Sequence, residues 1–405
     1  MAKISIVGAG QAGLQLGVGL LERGFEVVIT SNQTGEQIRN GRVTSSQCMF
    51  DRALQNERDL GLNFWEGEVP VEGIQFAVPV PGGGNALKWS ARLDRPAQSI
   101  DQRLKMPRWM DAFIAAGGEL RIADVGIPEL EDLHKESDLV IVASGKGEIG
   151  RLFQRDETRS RFDKPQRSLA LTYVHGMRAR EKHTAVNFNA VPGIGEYFVF
   201  PALTLSGPCE IMVFEGIIGG PMDRWAEVKG PEEHFAESLR ILREYVPDEY
   251  ERSKDCVLTD DLGVLAGRFP PTIRKPILTL PSGGLALGMG DSVCLNDPVT
   301  GQGSNNASHA AAAYLAAILD HGDRPFDAAF MQDAFERYWD YARFVVEWTN
   351  GILLPPTENQ QKVLAAAQHD PRVAHWFANG FNDPRTFFPV IADPQAADAF
   401  LGVAA

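Results

Sequence analysis

Several things the chain lacks narrow its function. Only four cysteines, Cys48, Cys209, Cys256 and Cys294, occur in 405 residues, widely spaced and with no CxxC. That excludes a disulfide framework and a zinc-ligand spacing, and isolated reduced thiols suit a cytosolic protein. Basic charge is scarce, with 39 Lys plus Arg against 53 Asp plus Glu and a net charge of −14. Duplex DNA and anionic membranes both need a basic face, so neither is an expected partner. No apolar run approaches the ~20 residues that cross a bilayer, and the Ala-rich stretch 310–319 reads as a core helix. The strand-like run Ile4-Ser-Ile-Val7 starts almost at Met1 with no signal-peptide pattern ahead of it, so a cytoplasmic location is expected. The eight histidines show no HxH or HExxH spacing and no GxSxG occurs, which argues against a metal site and a serine hydrolase. Repeats and low-complexity tracts are absent too.

What is present is an ordinary globular composition, 44% hydrophobic and 23% charged. It can bury a large core in two or three lobes at roughly 150 residues each. Short apolar strands are expected at residues 4–7, 25–29, 138–144 and 285–290, with a helix through Leu14–Leu21 between the first two. Residues 69–89 and 165–218 read as meandering β, broken by Pro79, Pro81 and Gly82-Gly-Gly84 in the first block. Helices are expected over 101–116, 232–245 and from Ser304, and the segment from Phe326 is helical and aromatic. The chain therefore divides into an α/β Rossmann-type domain from residues 1–68, 98–160 and 270–325. It is interrupted by a β domain from 69–97 and 161–269 and followed by a helical part, 326–405.

Gly8-Ala-Gly-Gln-Ala-Gly13 is GxGxxG between a strand and a helix, the context a dinucleotide turn needs. Gly8 permits the tight turn, Gly10 lets a pyrophosphate approach, and Gly13 lets strand and helix pack. Gln11 and Ala12 open the helix whose free N–H groups face the phosphates. The usual acid at the end of the second strand is replaced by Thr30-Ser31-Asn32. Hydroxyls hold a ribose more weakly than a carboxylate, which suits a cofactor that comes and goes.

A second signature lies near the other end. Gly288-Met-Gly290-Asp291 closes a strand, with Asp291 placed for a ribityl chain. Asn296-Asp-Pro298-Val-Thr-Gly301-Gln-Gly303 then leads into a helix through Ser304 and Asn305. A helix N-terminus there favours the negative charge of a reduced flavin. The two motifs in this order point to FAD rather than NAD.

The pair resembles the flavin-dependent aromatic hydroxylases of the p-hydroxybenzoate hydroxylase fold, and within them the two-component styrene and indole monooxygenases. The likeness spans nearly the whole chain. It is carried by Ile4–Leu14, Ser99-Ile-Asp-Gln-Arg-Leu104, Asp138-Leu-Val-Ile-Val-Ala-Ser144-Gly145-Lys146, Phe162-Asp-Lys-Pro-Gln-Arg167 and Asp297–Gly303. The resemblance implies an oxygenase supplied with diffusible reduced FAD by a separate NADH-dependent reductase. With O2 it would form a flavin C4a-(hydro)peroxide that epoxidises a small aromatic alkene. A homodimer is also implied.

In this family the styrene branch resembles Asn-x-Val-x-His after the second strand, and the indole branch Ser-x-Gln-x-Met. The chain has Ser45-Ser46-Gln47-Cys48-Met49, and it has Val71, Ile74 and Ala97 where the styrene branch carries aromatic, His and Ser positions. The indole branch is therefore expected, with indole oxidised to its 2,3-oxide and on to indoxyl and indigo. Val71, Ile74, Met49 and Ala97 would form an apolar slot, and Ser45, Ser46 and Gln47 would orient the substrate. Arg103 would reach the FAD phosphate and ribityl region, Arg42 would lie near the isoalloxazine, and Ser144 and Gly145 would line the cofactor. Read alone, Val71, Ile74 and Ala97 are core, Met49 fills a gap, and both arginines could be salt-bridged. The competing functions are a styrene monooxygenase proper, a single-component NAD(P)H hydroxylase, and a flavin-binding sensor without oxygenase activity.

Overall fold

The computed structural model describes residues 2–145 and 147–402. Lys146, which ends one motif stretch, Met1 and residues 403–405 of the C-terminal part lie outside them.

The four expected Rossmann strands join one six-stranded sheet in the order 277–279, 285–288, 139–142, 3–7, 26–31, 119–122. Strand Lys3–Val7 is central and runs parallel to both neighbours, with Ile6 in register with Ile29 and Ile141. It and Leu139–Val142 are buried on both faces, which is why they read as unbroken apolar runs. The sequence reading missed the two edge strands. Glu119–Ile122 is short and half polar, and Ile277–Thr279 is an antiparallel addition of three residues. The helix Gln11–Leu21 is buried over nearly its whole circumference, packed between this sheet and the helix Gly303–His321.

The second sheet has eight strands, in the order 257–258, 167–175, 207–217, 195–204, 185–191, 70–79, 85–98, with Val264–Gly267 also paired to 167–175. Side chains alternate between its faces. Ile211 and Val213 join one apolar cluster with Phe198, Phe200 and Tyr173. Met212 and Phe214 join another, under the helix Gly230–Tyr245. Phe76, Phe188 and Phe198 stack in a row across three strands at 5.6–5.8 Å.

The C-terminal helices do not form a lobe of their own. Helix Ala328–Ile352 packs Phe330, Phe335 and Tyr338 into the core of the first sheet, whereas its end, at Trp348, joins that of the second. The helices Glu358–Ala366, Pro371–Gly380 and Pro394–Leu401 cap the second sheet. No helix among the described residues is long and apolar enough to cross a membrane.

Candidate cofactor and substrate site

One cavity of about 810 Å³ runs between the two glycine-rich turns. Gly8, Gly10, Gln11 and Ala12 line it from one side, and Gly290, Asp291, Pro298, Gly301, Gly303 and Ser304 from the other. Thr30, Ser31, Ser144 and Gly145 border one end, and Ser45, Ser46 and Gln47 also form part of its wall.

The first turn has little freedom. Gly8 has φ +116°, and a Cβ there would lie 2.4 Å from the Ala143 carbonyl oxygen. A Cβ at Gly13 would lie 2.0 Å from the Gly8 carbonyl oxygen, so this residue packs the turn and does not line the cavity. At Gly10 a Cβ would meet nothing within 4 Å, which leaves room for a ligand beside the start of the helix. Beneath this turn, Gln11 donates to Glu57 at 3.0 Å, and Glu57 also receives Lys105 at 2.5 Å, a fully buried ion pair. Burial pulls the Lys105 pKa down, against the attraction of Glu57. Gln11 Oε1 is buried without a partner among the described residues.

The second turn is pinned from several directions. Asp297 accepts the Val299 N–H at 3.2 Å, and Gly301 takes the left-handed conformation at φ +65°. The Thr300 hydroxyl bonds that of Thr349 at 2.7 Å, and Gln302 donates to the Phe381 carbonyl at 2.9 Å. Asn305 does not line the cavity. Its side-chain oxygen accepts the Phe50 N–H, and its amide donates to the Cys48 and Gly301 carbonyls.

At the substrate end, the Ser45 hydroxyl donates to Gln47 Oε1 at 2.7 Å, and the Tyr173 hydroxyl donates to the Ser45 carbonyl at 2.9 Å. That leaves Gln47 Nε2 as a buried donor with no partner among the described residues. Val71 and Ala97 are direct cross-strand partners, and with Ile74 they belong to one buried cluster shared with Phe50, Tyr173 and Trp348; none of the three is on the cavity wall, so the expected apolar slot lies in the core behind it.

Three further placements are corrected, those of Met49, Arg103 and Arg42. Met49 is not in the slot with Val71, Ile74 and Ala97. The segment is extended and bridged to Gln98, so successive side chains point opposite ways. Cys48 and Phe50 face that cluster, whereas Met49 packs against Ala53 and Leu54, with its sulfur 3.9 Å from Lys105 Nζ. Arg103 does not reach the cavity. It is 2% exposed and forked between Asp101, at 2.8 and 3.0 Å, and Asp260, at 2.9 and 3.0 Å. Burial alone would lower its pKa, but Asp260 and Asp101 raise it, so it stays charged and fully neutralised. Arg42 is exposed and is not part of the cavity wall.

The sequence reading missed Asp124, Phe269 and Thr44, all on the cavity wall. Asp124 follows the unrecognised strand Glu119–Ile122, so finding that strand would have revealed it. Lying at the end bordered by Thr30 and Ser31, it brings a carboxylate near where the second strand lacks one.

FAD fits this donor set: a glycine turn with open space at Gly10, two helix N-termini, and buried groups at Gln47 Nε2 and Ser144 Oγ that have no hydrogen-bond partner among the described residues. Over residues 145–252 the sequence matches the family described as "Styrene monooxygenase A putative substrate binding domain". It is 30% identical over 403 residues to styrene monooxygenase StyA of Pseudomonas fluorescens, covering 97% of this chain and 96% of that one. The chain belongs to the styrene monooxygenase family. A second styrene monooxygenase StyA, from Pseudomonas sp, is 29% identical over the same shares. Membership makes the chain a flavin monooxygenase. Among solved structures, a triple mutant of the flavin-dependent brominase Bmp2 matches over 100% of both chains with a TM-score of 0.68 and 14% identity. A flavoprotein/dehydrogenase from Cytophaga hutchinsonii matches over 99% of this chain and 97% of its own, with a TM-score of 0.66 and 15% identity. These likenesses place the chain in the p-hydroxybenzoate hydroxylase-like fold.

Proposed function

We propose that this chain is the oxygenase component of a two-component system. It takes diffusible reduced FAD from a separate NADH-dependent reductase and, with O2, epoxidises indole to indole 2,3-oxide, along with styrene-like alkenes. The observation that carries this reading is that both glycine turns and the indole-type segment Ser45-Ser46-Gln47 border one cavity.

Reduced FAD, when bound, supplies the electrons that let O2 give one atom to the alkene. The chain's own residues bind, orient and shield. Gly10 gives the pyrophosphate room at the N–H groups of the helix Gln11–Leu21. The N-terminus of the helix Gly303–His321 favours negative charge at the ring. Gln47 Nε2 is available to hydrogen-bond an oxygen atom, and the Ser45 and Ser46 segment orients the substrate N–H. The apolar cluster of Val71, Ile74, Ala97 and Phe50 is off the cavity wall itself and backs the Ser45–Gln47 segment that would shield the reacting atoms from water. Adenosine would meet Thr30 and Ser31 in place of a strand-end acid, with the Asp124 carboxylate at the same end of the cavity. Ser31 Oγ is occupied with Gln33, donating to its carbonyl at 2.8 Å.

An indole-forming bacterial host expressing this chain with a flavin reductase should turn blue. A host that stays colourless with soluble protein, reduced FAD and indole present would overturn the substrate assignment. The names of the two relatives favour a second reading, in which styrene is the better substrate. Side-by-side epoxidation rates decide between them. Direct oxidation of NAD(P)H by the purified chain would instead mark a single-component hydroxylase.

A further inference from the structure

Gln11 opens the helix Gln11–Leu21 beside the first glycine turn and lines the cavity, yet it is only 7% exposed. Its side-chain amide cannot turn over. The Nε2 group donates to Glu57 Oε1 at 3.0 Å and to Gln15 Oε1 at 3.2 Å. Glu57, on the helix Asp51–Asp59, is ion-paired with Lys105 at 2.5 Å, and a paired carboxylate offers only acceptors. Gln15 is fixed in its turn, because its own Nε2 donates to the Ser308 carbonyl at 2.9 Å and leaves its oxygen toward Gln11. A reversed Gln11 amide would set its oxygen against two other oxygens in a buried place. Gln11 Oε1 is therefore held on the branch of the amide that points away from Glu57 and Gln15, and it has no partner among the described residues. A buried acceptor left without a partner costs free energy that an arriving donor restores.

We infer that the Gln11 side chain contacts the cofactor: Oε1 accepts a hydrogen bond from a sugar hydroxyl of the bound flavin nucleotide, and Glu57 and Lys105 are positioning residues that hold the amide for it. The inference rests on the flavin reading of the cavity. The pyrophosphate is not the partner, since its oxygens only accept. The hydroxyls of FAD lie on the ribityl chain and on the adenosine ribose. The ribityl chain is the expected donor, because the anchors of Gln11 lead toward the substrate-side segment. Lys105 Nζ lies 3.9 Å from the sulfur of Met49, two residues past Gln47 of the cavity wall, whereas Thr30 and Ser31 border a different end.

The test is anaerobic titration of the full chain with three probes: reduced FAD, reduced FMN, which carries the ribityl chain without adenosine, and ADP, which carries the ribose without the ribityl chain. Gln11→Met keeps the length of the side chain and removes the amide. It should bind reduced FAD about tenfold more weakly, the loss of one buried hydrogen bond, while the thermal midpoint of the flavin-free protein stays close to wild type. The same loss with FMN but not ADP supports the ribityl chain as donor, and the same loss with ADP but not FMN supports the ribose. Equal affinity of wild type and Gln11→Met for reduced FAD overturns the inference. So does an equal loss with all three probes, which a loosened glycine turn would give. Glu57→Gln combined with Lys105→Met removes both charges together, so no lone buried charge remains, and leaves beside Gln11 an amide that can give as well as accept. The Gln11 orientation is then no longer imposed, and reduced FAD should bind with an affinity between wild type and Gln11→Met, with the same pattern across the probes. Wild-type affinity in that double variant overturns the positioning role. If the wild type binds none of the three probes, the flavin reading of the cavity falls. If it binds them and Gln11→Met matches it, only this inference falls.

Discussion

The side-chain oxygen of Asn305 accepts the Phe50 N–H at 2.8 Å, across 255 residues of sequence. The same side chain donates to the Cys48 and Gly301 carbonyls at 2.8 and 3.1 Å. One amide thus ties the substrate-side segment to the cofactor-side turn. Asn305→Ala should cost about 1–3 kcal/mol in urea unfolding, because buried backbone groups lose their partners. Asn305→Asp should cost more, since it sets a carboxylate against two carbonyls. An unfolding midpoint unchanged in both would remove the residue from this role.

Gly10 and Gly13 should separate under mutation. Gly10→Val should keep the wild-type thermal midpoint, as its Cβ position is open, while reduced FAD binds at least about tenfold more weakly. Gly13→Ala drives a Cβ to 2.0 Å from the Gly8 carbonyl oxygen and should lower stability itself, by about 1–3 kcal/mol or more. Calorimetry paired with a flavin titration reads both.

Arg103 should behave as a structural ion-pair centre, not a phosphate ligand. Arg103→Met leaves Asp101 buried without its cation and should cost about 3–5 kcal/mol. Burial works to raise the Asp260 pKa, but Arg103 outweighs it and holds the carboxyl below its ordinary range. A lowered folded-state pKa contributes stability that is complete above the unfolded value and is lost as pH falls through the folded one. Wild-type stability should therefore drop on acidification, and that drop should be smaller in Arg103→Met. Urea midpoints from neutral to acid pH check it. A variant with wild-type stability and impaired flavin binding would contradict it.

The three positions that separate the indole-type from the styrene-type pattern should not contribute equally. Ser45→Asn with Gln47→Val changes the cavity wall and should move the styrene-to-indole rate ratio by about tenfold. Met49→His faces away, toward Lys105, and should lower stability without shifting the ratio. Competition assays with both alkenes, read alongside thermal midpoints, distinguish the outcomes.

The alternation of turn, strand and helix made the Rossmann half legible, because buried parallel strands leave unbroken apolar runs and Gly8-x-Gly10-x-x-Gly13 admits few other geometries. Strands Glu119–Ile122 and Ile277–Thr279 escaped because edge strands need no such run. The placements of Arg103 and Met49 were hidden for different reasons. One of the two partners of Arg103, Asp260, lies 157 residues away, although the other, Asp101, is two residues before it. The direction of Met49 depends on a bridge to Gln98 that its neighbours in sequence do not announce.

The backbone shuttles between the two sheets: residues 3–31, then 70–98, then 119–142, then 167–267, then 277–288. On the ribosome, strand Lys3–Val7 is made well before Leu139–Val142 and Leu285–Gly288, the strands that complete its half. A nascent chain of this design leaves apolar strand edges unpaired until residues 285–288 have been made. No single truncation of the gene yields either half intact.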